Sequence, residues 1–157
     1  MSVPEPTSPP PFLASVRALY DAFDAFDAAA ATRLALHRSD LSALTALEQG
    51  PRRIGDVGHA LGLSSGAMTA LADRLVESGH LKRSRDPKDR RAVLLDLTSQ
   101  ARAEVATVYR QAFEAIVEAV GTASAQELET AAAVVQAAAH ACTRAAAHLS
   151  EHIDGAS

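Results

Sequence analysis

The residues best suited to chemistry lie in a short basic run in the middle of the chain. Positions 82–91 hold two acidic residues and six basic ones, namely Lys82, Arg83, Arg85, Lys88, Arg90 and Arg91. The whole chain has a formal net charge of −4, so this run is a local positive patch on an acidic protein. A patch of this kind is suited to a phosphate backbone.

A polar turn interrupts the basic run. The turn Asp86–Arg90 is predicted to place Arg90 or Arg91 at the tip of a hairpin, where an arginine can enter a narrow A·T-rich minor groove. Asp89 precedes Arg91 by two residues, so its carboxylate can hold a guanidinium in a fixed direction. The alternative interpretation is a solvated basic hairpin with no partner.

Two helices are predicted directly before the hairpin. Apolar residues recur at helical spacing in both, at Ile54, Val57 and Leu61 and then at Met68, Leu71 and Leu75. Between them, Ser64 or Ser65 can cap the second helix, and Gly79 can end it with a positive φ. After the hairpin turn, Val93, Leu95 and Leu97 alternate as in a strand that faces a core. Helix, turn, helix and basic hairpin in this order predict a winged helix-turn-helix.

The second helix of this motif is predicted to lie in the major groove. Its candidate DNA-contacting residues are Ser64, Ser65, Ala67 and Thr69, with Arg74 further along. Short hydroxyl and methyl groups can contact phosphates, base edges or thymine methyls. No Asn or Gln is available for a bidentate contact with adenine, so base readout by this helix is expected to be modest.

Helices are also predicted on both sides of the winged helix. Ser39 or Asp40 is expected to cap the helix that precedes Gly50-Pro51, and Arg52 and Arg53 can then form a short strand, meet phosphate or stay solvated. Two outer seams follow a coiled-coil spacing, one at Phe12, Val16, Leu19, Phe23, Phe26 and Ala30 and the other at Leu128, Ala132, Val135, Ala139, Cys142, Ala146 and Leu149. We expect a Pro-rich disordered tail at 1–11, a helical dimerisation platform at 12–38 and 99–152, and a DNA-binding lobe at 40–98. The first seam can instead serve the core of one subunit.

Composition limits the class of protein. The chain has 157 residues, of which 48% are apolar and 4% aromatic, and one cysteine, Cys142. We expect a mostly helical protein in a reducing cytoplasm, with a buried, inert thiol at Cys142. No apolar run has the length of a membrane span, and no secretory signal is expected. No catalytic constellation, cofactor motif or metal site is predicted, so an enzyme is not expected.

The sequence resembles the MarR family of bacterial transcription regulators over about residues 40–103. The resemblance is carried by the helix start at Gly62–Ser65, by LVESGHLKR at 75–83 and above all by DPKDRRAVLLDLT at 86–98. It implies a mainly α fold with a small β-hairpin wing, in which a winged helix-turn-helix is flanked by dimerisation helices. By position, Asp89 and Arg91 match the Asp-x-Arg pair of the family's wing.

The resemblance also implies a function. It indicates a homodimer on a pseudo-palindromic DNA operator, usually a repressor released by a small ligand or by oxidation, in the cytoplasm and nucleoid-associated when bound. Family members that take an aromatic or phenolic effector bind it between the dimer platform and the DNA-binding lobe, where Phe23, Phe26, His37 and Arg38 are candidate lining residues. The alternative hypothesis is a winged-helix dimer that binds another protein without specific DNA binding.

Overall fold

The computed structural model describes residues 10–154, which form six helices and one small sheet. The elements in chain order are α1 (Pro10–Arg33), α2 (Arg38–Ala46), β1 (Arg52–Arg53), α3 (Ile54–Ala60), α4 (Ser65–Glu77), β2 (Leu81–Arg85), β3 (Val93–Leu97), α5 (Ser99–Ala119) and α6 (Ala125–Asp154). Of the predicted tail, residues 1–9 lie outside the described residues. Pro10 and Pro11 belong to the first turn of α1, where proline is tolerated because the first N–H groups have no intrahelical partner. This mainly helical architecture with a small sheet confirms the predicted winged helix-turn-helix.

The helix boundaries follow from local capping. Ser64 caps α4 by accepting the N–H of Ala67 at 3.3 Å, and Thr98 caps α5 by accepting the N–H of Ala101 at 3.2 Å. Gly79, with φ +77°, ends α4, and the His80 N–H then reaches the Leu75 carbonyl at 2.9 Å. The predicted cap of α2 is wrong by two or three residues, because His37 is the N-cap and Asp40, in the first turn, accepts the His37 N–H at 3.3 Å.

The sheet is antiparallel with the strand order β1-β3-β2. Arg52 and Arg53 form β1 and pair with Leu95 and Leu94, so the short-strand interpretation of these arginines is confirmed. Strand β2 pairs with β3 from Leu81 opposite Leu97 to Arg85 opposite Val93. The hairpin loop therefore spans residues 86–92 and carries most of the predicted wing tip.

The chain divides into two compact units, residues 1–113 and 114–157. In the first unit, the helix-turn-helix and the hairpin share one core, whose largest fully buried side chains include Leu44, Leu47, Val57, Met68, Leu75, Leu95, Leu97 and Val105. The predicted stripe of α4 is buried as expected, and so are Leu95 and Leu97 of the predicted strand, whereas Val93, the first residue of that pattern, is exposed. This core fixes α4 against the sheet and so sets the position of the hairpin.

Several large apolar side chains on α1, α5 and α6 are exposed in the single chain. On α1, Val16 and Leu19 are exposed, and on α6, Leu128 and Val135 are exposed. On α5, Ala101 and Val105 are buried whereas Ile116 and Val120 are exposed. None of the helices within residues 10–154 combines the length and the apolar character that a membrane span needs.

Candidate nucleic-acid interface

The exposed side of α4 begins with short, uncharged side chains. Ser64, Ser65, Ala67 and Thr69 are all exposed, and the core-facing side of the same helix is held by Met68 and Leu71. The Thr69 hydroxyl donates to the Ser65 carbonyl at 2.9 Å, which leaves its methyl group as the outer contact surface. This surface presents small groups and no net charge over its first two turns.

Arg74, the fifth residue predicted on this helix, has a different environment. Its guanidinium pairs with the buried carboxylate of Asp40 at the start of α2, with an Nε–Oδ2 distance of 3.4 Å for one of the two contacts. The hydrogen bond to Asp40 raises the pKa of Arg74. Arg74 therefore links α4 to α2 within the lobe, and its predicted contact with DNA stays a prediction.

The base of the hairpin carries basic residues that are already neutralised. Lys82 Nζ lies 3.1 Å from Asp96 Oδ2 on the neighbouring strand, and Arg83 Nη1 lies 2.6 Å from Asp73 Oδ1 on α4. Asp96 also binds Arg102 of α5 at 2.9 Å. The sequence pattern does not reveal these acidic partners, because Asp73 and Asp96 lie 10 and 14 residues from the basic residues they neutralise.

The tip of the hairpin carries the remaining basic residues. Arg85, Lys88, Arg90 and Arg91 are exposed, and within the described part of the chain none of their side chains has an ion pair or a hydrogen bond. Four unpaired positive side chains therefore project from residues 85–91. This is the electrostatic arrangement that attracts a polyanion to one edge of an acidic protein.

The loop that carries these residues is closed by its own acidic side chains. Asp86 is buried, and its Oδ1 accepts the Lys88 N–H at 2.8 Å while its Oδ2 accepts Nε and Nη2 of Arg53 at 3.0 and 2.9 Å. The Lys88 N–H, followed by the Arg53 guanidinium, lowers the pKa of Asp86 below its ordinary value. Asp86 thereby links the loop to Arg53 of β1.

Asp89 orients the loop differently from the prediction. Its Oδ1 accepts the backbone N–H of Arg91 at 3.1 Å, and its Oδ2 lies 3.9 Å from Arg53 Nη2. The expected carboxylate–guanidinium pair with Arg90 or Arg91 is absent from the described residues. Asp89 thus fixes the backbone at Arg91 and leaves the Arg91 guanidinium unpaired.

Comparison with known proteins identifies the family. A model of the MarR family matches residues 36–92, which include the helix-turn-helix and most of the hairpin. The HTH-type transcriptional regulator YcgE of Bacillus subtilis is 35% identical over 105 residues, which are 66% of this chain and 68% of YcgE. The chain belongs to the MarR family of transcriptional regulators.

Solved structures show that this MarR-family chain has the family's fold. A MarR family protein from Bacillus stearothermophilus superimposes with a TM-score of 0.69 at 17% identity, covering 84% of this chain and 93% of that protein. The Mycobacterium tuberculosis protein RV1404 gives a TM-score of 0.68 at 20% identity, covering 89% and 98%. At these identities the likeness concerns the fold alone.

The four residues predicted to line an effector site in this MarR-family protein make separate contacts. The Phe26 ring packs edge-on against Tyr109, with centroids 5.4 Å apart, and Phe23 is partly buried nearby on α1. His37 caps α2, and Arg38 pairs with Asp24 of α1. An open cleft of about 430 Å³ lies instead between the end of α1 and α5, lined by Arg33, Leu34, Ala103, Glu104, Thr107 and Val108. None of the four predicted residues lines this cleft.

The single cysteine lies on the predicted apolar seam of α6. Cys142 is exposed in the single chain, and so are Leu128 and Val135 of the same seam. Its predicted burial depends on a second subunit and stays a prediction.

Proposed function

We propose that this MarR-family protein is a homodimeric DNA-binding repressor that recognises a pseudo-palindromic operator. In this proposal α4 lies in the major groove, with Ser64, Ser65, Ala67 and Thr69 toward the bases, and the hairpin is the wing that enters the adjacent minor groove. The single observation that carries the proposal is the set of four unpaired cations at Arg85, Lys88, Arg90 and Arg91. Lys82 and Arg83 lie at the base of the same wing, where they are already paired with acids.

A two-fold operator requires a dimer, and the exposed apolar side chains of α6 support this part of the proposal. Val135 is 54% exposed and Leu149 is 70% exposed on α6, whereas the large aliphatic side chains of the lobe core are fully buried. Exposed apolar side chains that recur along one helix are typical of an association site. We propose that residues 12–38 and 99–152 form the dimerisation platform, that the lobe is 40–98, and that the protein acts in the cytoplasm at the nucleoid.

Release from DNA by a small effector is the remaining part of the proposal. The open cleft between α1 and α5 supports this part of the proposal, because it has a volume of about 430 Å³ and is lined by Arg33, Glu104 and aliphatic side chains. Pockets of this size accommodate a small organic ligand. A thermal-shift screen of small aromatic and phenolic acids tests this part. We expect a ligand that binds to raise the unfolding midpoint, and the same ligand to reduce operator binding in the retardation assay.

The DNA-binding proposal is tested by electrophoretic retardation of the protein's own promoter region at ~100 mM salt, a concentration at which non-specific binding is weakened. We expect a specific shift that survives excess unrelated DNA. A folded dimer that gives no specific shift would refute the proposal and favour the alternative, a winged-helix module that binds another protein.

The dimer is tested by placing a charge on α6. Val135→Asp sets an unpaired carboxylate in the proposed seam, which is strongly destabilising for an interface. Thr130→Asp is the matched control, because it adds the same charge on the opposite side of the helix. Sedimentation should give a monomer for the first variant and a dimer for the second. A Val135→Asp dimer would show that this side of α6 is not the interface.

A further inference from the structure

Arg53 occupies a position that its own helix does not explain. It is the N-cap residue of α3, with φ −63° and ψ 137°, and its side chain makes no capping hydrogen bond. N-cap residues are usually Ser, Thr, Asp or Asn, because their oxygens accept the first free N–H groups of the helix. An arginine side chain has no acceptor, so it cannot perform this function.

The guanidinium of Arg53 instead binds a carboxylate of the hairpin loop. Two of its nitrogens donate to Asp86 Oδ2 at 3.0 and 2.9 Å, across 33 residues of sequence. The other oxygen of the same carboxylate accepts the Lys88 N–H at 2.8 Å. Asp86 is therefore a junction between the start of the helix-turn-helix and the turn that leads into the wing tip.

The loop beyond this junction is closed by hydrogen bonds of its own. The Asp86 N–H donates to the Ala92 carbonyl at 3.1 Å, the Asp89 N–H to the Asp86 carbonyl at 3.2 Å, the Ala92 N–H to the Asp89 carbonyl at 2.9 Å, and the Arg91 N–H to Asp89 Oδ1 at 3.1 Å. The side chains of Lys88, Arg90 and Arg91 have no partner within the described residues. These bonds act within the loop, whereas the contact between Arg53 and Asp86 joins the loop to the start of α3.

Because Arg53 is already paired with Asp86 and lies 3.9 Å from Asp89, its own attraction for phosphate is largely neutralised. We propose that Arg53 is a positioning residue for the wing: by binding Asp86, it sets the direction in which the loop presents Arg90 and Arg91 to DNA. This inference rests on the proposed DNA-binding function.

The test compares Arg53→Ala with Arg52→Ala. Arg52 is the matched control because it is the adjacent basic residue of β1, and its guanidinium donates to the Ala46 carbonyl at 3.4 Å and to no other group in the described part of the chain. Operator affinity is measured over a range of salt concentrations for both variants and for Arg91→Ala. We expect Arg53→Ala to lower affinity by about tenfold or more, as removal of a groove-contacting arginine does. Arg52→Ala should have a much smaller effect.

The salt dependence separates positioning from direct contact. Each lost phosphate contact lowers the slope of log K against log salt by about 0.9. Arg91→Ala should make the slope shallower. If Arg53 acts through the wing, adding Arg53→Ala to the Arg90→Ala, Arg91→Ala double variant should lower neither the affinity nor the slope further, because the contacts that Arg53 positions are already gone. A further fall of the slope in that background would overturn the inference by showing that Arg53 contacts phosphate itself.

The Asp86 variants supply the second arm of the test. Asp86→Ala removes a negative charge near DNA, yet it should weaken binding, and Arg53→Ala with Asp86→Ala should be no worse than either change alone. Tighter binding by Asp86→Ala would overturn the inference in favour of diffuse attraction. Arg53→Lys keeps the charge without the two-nitrogen contact, so intermediate affinity is expected. Arg53→Lys also keeps the test available if Arg53→Ala does not fold.

A DNA-free measurement distinguishes this inference from the proposed function. Amide hydrogen exchange at Lys88 should be faster in Arg53→Ala than in the wild type and Arg52→Ala, because the carboxylate that accepts this N–H loses its anchor. This result is expected even if the wild-type protein gave no operator shift, in which case only the proposed function would fail. Unchanged exchange at Lys88 would overturn the inference by itself.

Discussion

The exposed side of α4 and the tip of the hairpin present opposite chemistry, although both project from the same core. The helix offers Ser64, Ser65, Ala67 and Thr69, all uncharged, whereas the tip offers four unpaired cations from Arg85 to Arg91. Small groups allow a helix to approach base edges closely, whereas unpaired guanidiniums provide long-range attraction and fit a narrow minor groove. The difference indicates that fit by the helix and charge at the wing are separable, and each can be removed without the other.

The largest expected effect comes from giving the helix a charge of the wrong sign. Ser65→Glu or Thr69→Glu should abolish specific operator binding, because a carboxylate is then set against phosphates in the major groove. Gln49→Glu adds the same charge at an exposed turn and serves as the control. Thermal unfolding should show all three variants folded, since none of these side chains is in the core. Retained affinity in either α4 variant would show that this helix does not face DNA.

The next largest loss of operator affinity is expected from removing a positive charge at the tip of the hairpin. Arg90→Ala or Arg91→Ala should cost about 1–3 kcal/mol of binding free energy per subunit and lower the salt slope by about one ion per arginine. In the proposed dimer two wings contact the operator, so the dimer should lose roughly twice the single-subunit amount. Lys88→Ala should cost less and affect all DNA sequences alike, as a plain phosphate contact does. Equal losses on operator and random DNA for all three variants would leave the wing without a role in specificity.

A smaller effect is expected at the base of the hairpin. Lys82→Ala and Arg83→Ala should each change operator affinity less than Arg91→Ala, because their charges are already paired with Asp96 and Asp73. Exposed ion pairs of this type contribute about 0–1 kcal/mol to stability, so the fold should be maintained. Titrations at one salt concentration are sufficient for the comparison. Losses as large as those at the tip would mean that DNA displaces the acidic partners.

The smallest effect concerns the acid sensitivity of the wing. The pKa of Asp86 is lowered in the folded protein, so its stabilising contribution is present above the ordinary carboxyl pKa of about 3.9 and is lost as pH falls through the lowered value. Urea midpoints of the wild type and Asp86→Asn should therefore differ at neutral pH and converge in acid. Asp21→Asn, in an exposed pair with Arg17, is the control and should shift the midpoint less. A gap that persists below the lowered pKa would contradict the assigned cause.

The sequence alone determined the helix-turn-helix and the hairpin. Ser64 caps α4 and Gly79 ends it, as predicted, because capping depends on residues within one turn of each other. The periods of Met68, Leu71 and Leu75 and of Leu95 and Leu97 identified the buried sides correctly, since side-chain direction follows directly from helix and strand geometry. The cluster of basic residues was likewise visible without any structure.

Only the tertiary structure decided which charges are unpaired. Arg74 is bound to Asp40, Arg83 to Asp73 and Arg53 to Asp86, through contacts across 34, 10 and 33 residues. No local pattern predicts such partners, because they depend on how α2, α4 and the hairpin pack around the shared core. In the same packed structure, the Asp89 carboxylate accepts the backbone N–H of Arg91 and does not pair with the Arg91 guanidinium. Residue type and spacing thus determined where the positive patch lies, and long-range packing determined which of its members remain available to a partner.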